Sequence, residues 1–155
     1  MILKVIQEPN PILRREATPV SDPQDPKIKA LVRNMIDTMH AEKGIGLAAN
    51  QVGDASAIAV IDADPSTSSG PIVLFNPKIL KRSWRTVLFE EGCLSVKGAI
   101  LMLRRARSIL VETMNGEGKT IRFRAKDLFA IVIQHEVDHL NGILIIDKGV
   151  KPKAQ

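Results

Sequence analysis

Apolar positions recur at helical spacing between Asp25 and Lys43, where Ile28, Leu31, Val32, Met35, Ile36 and Met39 fall on one face. Asp25 can cap the start, Pro26 suits the first helical position, and Gly44 can close the end. The segment predicts an N-terminal amphipathic helix. The pattern then changes. GIGLAANQVG (44–53) reads as a glycine-punctuated loop, AIAVID (57–62) and IVLFNPKIL (72–80) as strands, and ADPSTSSGP between them as a mobile surface loop. Further extended segments are predicted at Trp84–Phe89, Leu101–Leu103, Ser108–Thr113 and Thr120–Arg124, with NGEG (115–118) as a hairpin turn. A second helix begins at Lys126 or Asp127 and ends at Asn141-Gly142. Hairpin-linked strands framed by two helices predict an α+β fold with antiparallel sheets.

A chain of 155 residues is most simply one domain, large enough to bury about two thirds of its unfolded surface. The single cysteine, Cys93, rules out an internal disulfide, and the first residues lack the apolar core of a signal peptide. A cytoplasm-like, reducing compartment is expected. No apolar stretch approaches the roughly 20 residues of a membrane span, so no membrane partner is expected. The charge of +5 sets 22 Lys and Arg against 17 acids. That excess reads as a solvated basic surface. One Trp, four Phe and no Tyr supply no stacking pattern for nucleic acid, and no DNA partner is expected.

The second helix carries the chemistry. At about 100° per residue, with Leu128 at zero, Ile131 falls near 300°, Val132 near 40°, His135 near 340° and His139 near 20°. The two histidines share a stripe with Leu128, Ile131 and Val132, and Glu136 sits on its edge. Buried ionisable groups need compensation. In HEVDH, a metal bridging His135 and His139, with Glu136 accepting a proton from its water, supplies it. A third ligand is not found downstream. Zincins that use a later glutamate need an acid well past His139, where only Asp147 occurs, and the metzincin histidine position holds Ile145. Upstream, His40 and Cys93 are the nitrogen and sulfur candidates. His40 in the last turn of the first helix can serve simply by facing the helix C-terminus. Cys93 follows a glycine that lets the backbone bend towards a ligand.

Three segments in order, GIGLAANQ (44–51), EGCLS (91–95) and QHEVDHLNG (134–142), resemble the peptide deformylase family, and the likeness runs from Ile2 to about Asp147. The resemblance implies a single catalytic domain over 1–147, a short basic tail over 148–155, and antiparallel sheets around a central helix bearing HExxH. It implies removal of the N-formyl group from the initiating methionine of nascent chains, with formate released. The implied ligands are Cys93, His135 and His139, with Glu136 as general base and then acid. Gln51, through its side-chain amide, and Leu94, through its N–H, would stabilise the developing oxyanion. Leu128, Ile131, Val132 and Ile45 would line the methionine pocket, being ordinary core residues on sequence grounds alone. The backbone of Ile45, Gly46 and Gly92 would pair with the substrate as an added strand. Asp138 and Glu91 would orient ligands, with Glu91 paired to Arg105, although a surface ion pair is the simpler explanation.

A Cys and two His suggest zinc on ligand chemistry. The resemblance instead implies ferrous iron as the physiological divalent ion, with zinc, nickel or cobalt able to occupy the site. A monomer is expected. The sequence departs from the family pattern at Lys97, Ile100 and Asp127, the last replacing a frequent glycine where it could cap the helix. The basic tail reads as disordered, so ribosome contact is expected to be electrostatic, weak or absent. A peptidase acting on internal bonds and a noncatalytic metal-stabilised module are the two rival readings.

Overall fold

The computed structural model describes residues 1–63 and 70–152; most of the ADPSTSSGP segment and the last three residues lie outside the described residues. The first helix, α1, spans Pro26–Ala41, with Asp25 Oδ1 accepting from Lys27 N at 2.8 Å. Met35, Thr38 and Met39 are buried, and the chain start is tied to the same helix through Leu3 N donating to Thr38 Oγ1. The exit differs from the expected glycine stop. Lys43, not Gly44, adopts the left-handed conformation (φ 56°), and Gly44 N donates to Met39 O.

Seven strands follow: β1 (Gly46–Ala48), β2 (Ile58–Ile61), β3 (Ile72–Arg82), β4 (Thr86–Cys93), β5 (Val96–Ala106), β6 (Ser108–Met114) and β7 (Thr120–Lys126). They form a five-stranded sheet of order β1-β2-β3-β6-β7 and a two-stranded β4-β5 ribbon, with every pairing antiparallel. The NGEG turn joins β6 and β7, and Asn115 Oδ1 accepts from Glu117 N and Lys119 N. All four residues of β2 are buried, so this strand reads as a continuous apolar run, whereas β6 alternates.

Helix α2 spans Asp127–Leu140 and, unlike α1, is buried nearly all round from Ala130 to Leu140. It contacts β1, β2, β3, β6 and β7 of the larger sheet and β5 of the ribbon. Gln134 pins it to β5, accepting from Ala106 N and donating to Ala106 O. Gly142 at its exit has φ 75°, and a Cβ there would lie 2.4 Å from Arg14 O, so only glycine fits.

Asp127 does not cap α2. It is the first helical residue, at φ 55°, and Lys126 before it makes no side-chain cap. A left-handed non-glycine residue costs about 1–2 kcal/mol, which Asp tolerates better than branched residues. Asp127→Gly is therefore expected to stay within about 1 kcal/mol of the parent in urea denaturation, because relief of strain offsets a more flexible unfolded chain. Asp127→Val should lose at least about 1 kcal/mol.

Beyond α2, a short helix α3 (Ile145–Lys148) leads to Val150, which pairs with Met102 of β5. The tail expected to be disordered is thus held as far as Val150.

Candidate active site

A cleft of about 570 Å³ opens between the β4-β5 ribbon, the segment entering β1, and α2. At the end of β4 the register with β5 shifts between Gly92 and Cys93, a bulge of the kind that re-aims a side chain. Cys93 Sγ lies 3.3 Å from His139 Nε2, which lies 3.2 Å from His135 Nε2. Donor atoms of these three residues all fall within 4.8 Å of one another. The histidines meet because positions i and i+4 share one face of α2. His40, the other upstream candidate, is exposed and pairs with Asp62 at 3.0 Å, away from this cluster.

His135 Nδ1 meets Glu91 Oε1 at 2.9 Å, fixing the ring so that Nε2 faces Cys93 and His139. Burial lowers the pKa of His135, but hydrogen bonds to Cys93 and Glu91 outweigh burial and raise it to about 10. His139, 1% exposed, is pushed well below its ordinary value by burial and by the neighbouring His135 charge. The surroundings of His135 therefore favour positive charge. One sulfur and two imidazole nitrogens suit a borderline divalent ion, so the residues fit a metal.

Glu136 is 3% exposed, and its Oε2 has no hydrogen-bond partner among the described residues. Burial raises its pKa to about 7; His135 opposes the shift, while Glu91 and Asp138 add to it. Its space depends on Gly46. A Cβ at that position would lie 2.6 Å from Glu136 Oε1 and 2.9 Å from Val132 Cγ1.

Behind His135 lies a network whose members the family resemblance implied, although surface ion pairs were the simpler reading of the sequence alone. Arg105 is 4% exposed and Glu91 5%. Arg105 Nε and Nη2 donate to both Glu91 oxygens at 2.8 and 2.9 Å, and Nη1 donates to Asp138 Oδ2. Burial raises the pKa of Glu91, but Arg105 and His135 overcome it and hold the carboxyl at about 2. These residues come from β4, β5 and α2, and only tertiary folding brings them together. Lys148 of α3 reaches Asp138 Oδ1 at 3.3 Å, a contact no motif announces.

Gln51, read from sequence alone as a loop amide, is 1% exposed. Its Oε1 accepts from Ala48 N at 3.0 Å, which directs Nε2 towards Ser95 Oγ (3.1 Å) and Cys93 Sγ (3.9 Å). Three supporting residues escaped sequence reading. Ser95 is fully buried; Asn50 Nδ2 donates to His139 O at 2.7 Å; Gln7 Nε2 donates to Leu94 O at 2.8 Å. No hydrogen bond from the Leu94 N–H is found among the described residues. All four apolar positions line the cleft; Ile131 and Val132 are buried, whereas Leu128 and Ile45 are 40% and 45% exposed and so are not ordinary core. Gly92 lines it too, as does Ile100; Lys97 is exposed on β5.

A family model described as polypeptide deformylase matches residues 2–155. Among similar proteins, the peptide deformylase of Dictyoglomus turgidum is 45% identical over 97% of this chain and 95% of its own length. That of Halothermothrix orenii is 41% identical over 97% and 95%. Among solved structures, a peptide deformylase from Thermotoga maritima superimposes with a TM-score of 0.90 at 36% identity, covering 98% of this chain and 99% of that one. A class I type b peptide deformylase from Acinetobacter baumannii, described as bound to Met-Ala-Ser, gives 0.90 at 31% identity, covering 96% and 98%. Identity at this level along nearly the whole length, with a matching fold, establishes that the chain belongs to the peptide deformylase family.

Proposed function

We propose that this chain is a hydrolase that removes the N-formyl group from the N-terminal formylmethionine of nascent polypeptides, with Cys93, His135 and His139 holding one divalent metal ion. The observation that carries the reading is the convergence of these donors beside the buried Glu136 carboxylate at an apolar cleft. When bound, the ion supplies Lewis-acid polarisation of the formyl carbonyl and a water of lowered pKa. Glu136 takes the proton of the attacking water and passes it to the departing amine. Charge developing on the formyl oxygen is met by the Gln51 amide and the Leu94 N–H; losing one such donor costs about 10²–10³ in rate. The held amide of Gln51 and the unengaged N–H of Leu94 support this pairing.

Ile45, Leu128, Ile131 and Val132 receive the methionine side chain, which the exposure of Ile45 and Leu128 supports. The backbone of Ile45, Gly46 and Gly92 pairs with the substrate main chain, a mode indifferent to the residues that follow. The Met-Ala-Ser described in the Acinetobacter baumannii relative is a peptide of this kind. Glu91, Asp138 and Arg105 hold His135 and α2 in position. In this reading residues 1–147 form the catalytic domain, with the α2 motif enclosed by antiparallel sheets, and 148–155 the basic tail. Ferrous iron is the native metal, with zinc, nickel or cobalt able to replace it. The protein acts as a cytoplasmic monomer with at most weak electrostatic contact to the ribosome. No helix among the described residues is long and apolar enough to cross a membrane.

Gly46→Ala should displace Glu136, since the added methyl group meets its carboxylate. A misplacement of about 1 Å costs on the order of 10²-fold. The expected result is a kcat lowered by about that factor with metal stoichiometry unchanged, checked by formate release and metal analysis.

The function is tested by metal analysis of anaerobically purified protein together with formate release from formyl-Met-Ala. Stoichiometric divalent metal and hydrolysis of the formylated peptide, with acetyl-Met-Ala and free Met-Ala untouched, is the expected outcome. Cleavage of the Met-Ala bond would instead identify a peptidase.

A further inference from the structure

A second cavity, of about 210 Å³, lies on the side of the Arg105 network away from the metal cluster, between the β3-β4 turn, β5, α2 and α3. Its walls carry Arg82, Arg104, Arg105 and Lys148, with Asp138 as the one carboxylate and the buried Gln134 amide at its floor. Glu91, which pairs with Arg105 from the other side, is the second carboxylate to be counted. Four cations against two carboxylates leave two positive charges facing a concave site. Arg82 and Arg104 form no ion pair among the described residues; Arg104 is held only by donating to Thr86 Oγ1 at 3.0 Å. Arg105 is 4% exposed and uses three of its five N–H groups on Glu91 and Asp138. A buried guanidinium with N–H groups to spare, rimmed by two guanidiniums without ion pairs among the described residues and by a lysine, is complementary in charge and hydrogen-bond donors to a phosphate dianion.

We propose that this cavity binds a phosphate group. The site is independent of the assignment made for the metal cluster. Phosphate chemistry has two sources, free phosphate and the backbone of RNA, and one neighbouring feature separates them experimentally. Trp84, the sole tryptophan, follows the cavity residue Ser83, is 88% exposed, and has the Arg85 guanidinium 5.9 Å from its ring centroid. An exposed indole one residue along the chain from the cavity wall offers a surface on which a base can stack.

The test uses metal-loaded protein at fixed ionic strength, titrated with inorganic phosphate by isothermal calorimetry and by Trp84 emission. Saturable binding is expected. In Arg82→Ala/Arg104→Ala the dissociation constant should rise at least tenfold, while formyl-peptide turnover without phosphate stays at the parent level. A single-stranded oligoribonucleotide forms the second arm. Tighter, variant-sensitive binding that quenches Trp84 and is weakened in Trp84→Ala assigns the phosphate to RNA; variant-sensitive binding of inorganic phosphate alone assigns it to the free anion. No saturable binding in either arm, or binding that survives the double substitution, overturns the proposal.

Discussion

Glu136→Gln is expected to retain full metal content and to lose turnover of formyl-Met peptides by about 10³–10⁴, towards the upper end of what general acid–base catalysis contributes. The amide has the volume of the carboxylate, so packing against Val132 and the close approach of Gly46 are preserved and no cavity opens. What is lost is the ability to accept a proton. The carboxylate is suited to this work because one of its oxygens has no hydrogen-bond partner among the described residues and burial raises its affinity for a proton. A cation on the adjacent donors acts in the opposite direction, so holding metal and holding the proton are coupled through the same carboxyl. In the proposed reaction Glu136 would accept the proton on attack and return it to the leaving amine, so both halves should fail together. Glu136→Ala should lose a similar factor, separating the missing base from any effect of the amide's own hydrogen bonds. Formate release at parent rate in either variant, with metal bound, would remove Glu136 from the reaction.

The parts of this site that could be read from the sequence are those whose physics is local. Two histidines four residues apart must share a helix face, and an NGEG flanked by strand-like segments must turn. The alternation of β6 and the apolar run of β2 were likewise visible as patterns. Neighbourhood across the fold was not. Nothing near Arg105 in sequence says that its guanidinium is buried between carboxylates from β4 and α2, and solvent-exposed pairing was the simpler expectation. Gln7 supports the turn after Cys93 from a position with no motif of its own, and Ser95, the last residue of EGCLS, gives no sign in sequence that it is buried against Gln51. Backbone conformation was legible only where glycine marks it. Gly142 takes the left-handed form as its residue type suggests, but Lys43 and Asp127 do so because the tertiary structure dictates where α1 ends and α2 begins. Exposure also misled: Ile45 and Leu128 carry core-like side chains yet face the cleft, a departure expected where a ligand completes the packing.

Arg105→Leu is the substitution expected to cost most in stability. Removing one partner of a buried ion network leaves the others charged and without compensation, a loss of about 3–5 kcal/mol. At this chain length each kcal/mol lowers Tm by about 2–4 °C, so a fall of roughly 10 °C is expected by calorimetry. Glu91 and Asp138 would be the stranded groups, because Arg105 donates two N–H groups to the first and one to the second. The comparison is Lys148→Met, which removes only a half-exposed contact to Asp138 and should cost less than about 1 kcal/mol. The pH dependence follows with a definite sign. Glu91 has a folded pKa of about 2, depressed from 4.5, so its ionised form contributes stability that is fully present above 4.5 and lost as pH falls towards 2. Without Arg105, burial no longer meets its main opposition, the folded pKa rises, and that acid-sensitive contribution shrinks. Denaturant titrations at pH 7 and pH 3 should therefore show a smaller stability gap in Arg105→Leu than in the parent; an equal gap would mean that Glu91 does not depend on Arg105. The same substitution should weaken metal affinity by about 10–100-fold, because Glu91 would no longer be held against His135 Nδ1. Metal loss without any fall in Tm would show that the network orients the ligand histidine but does not stabilise the fold.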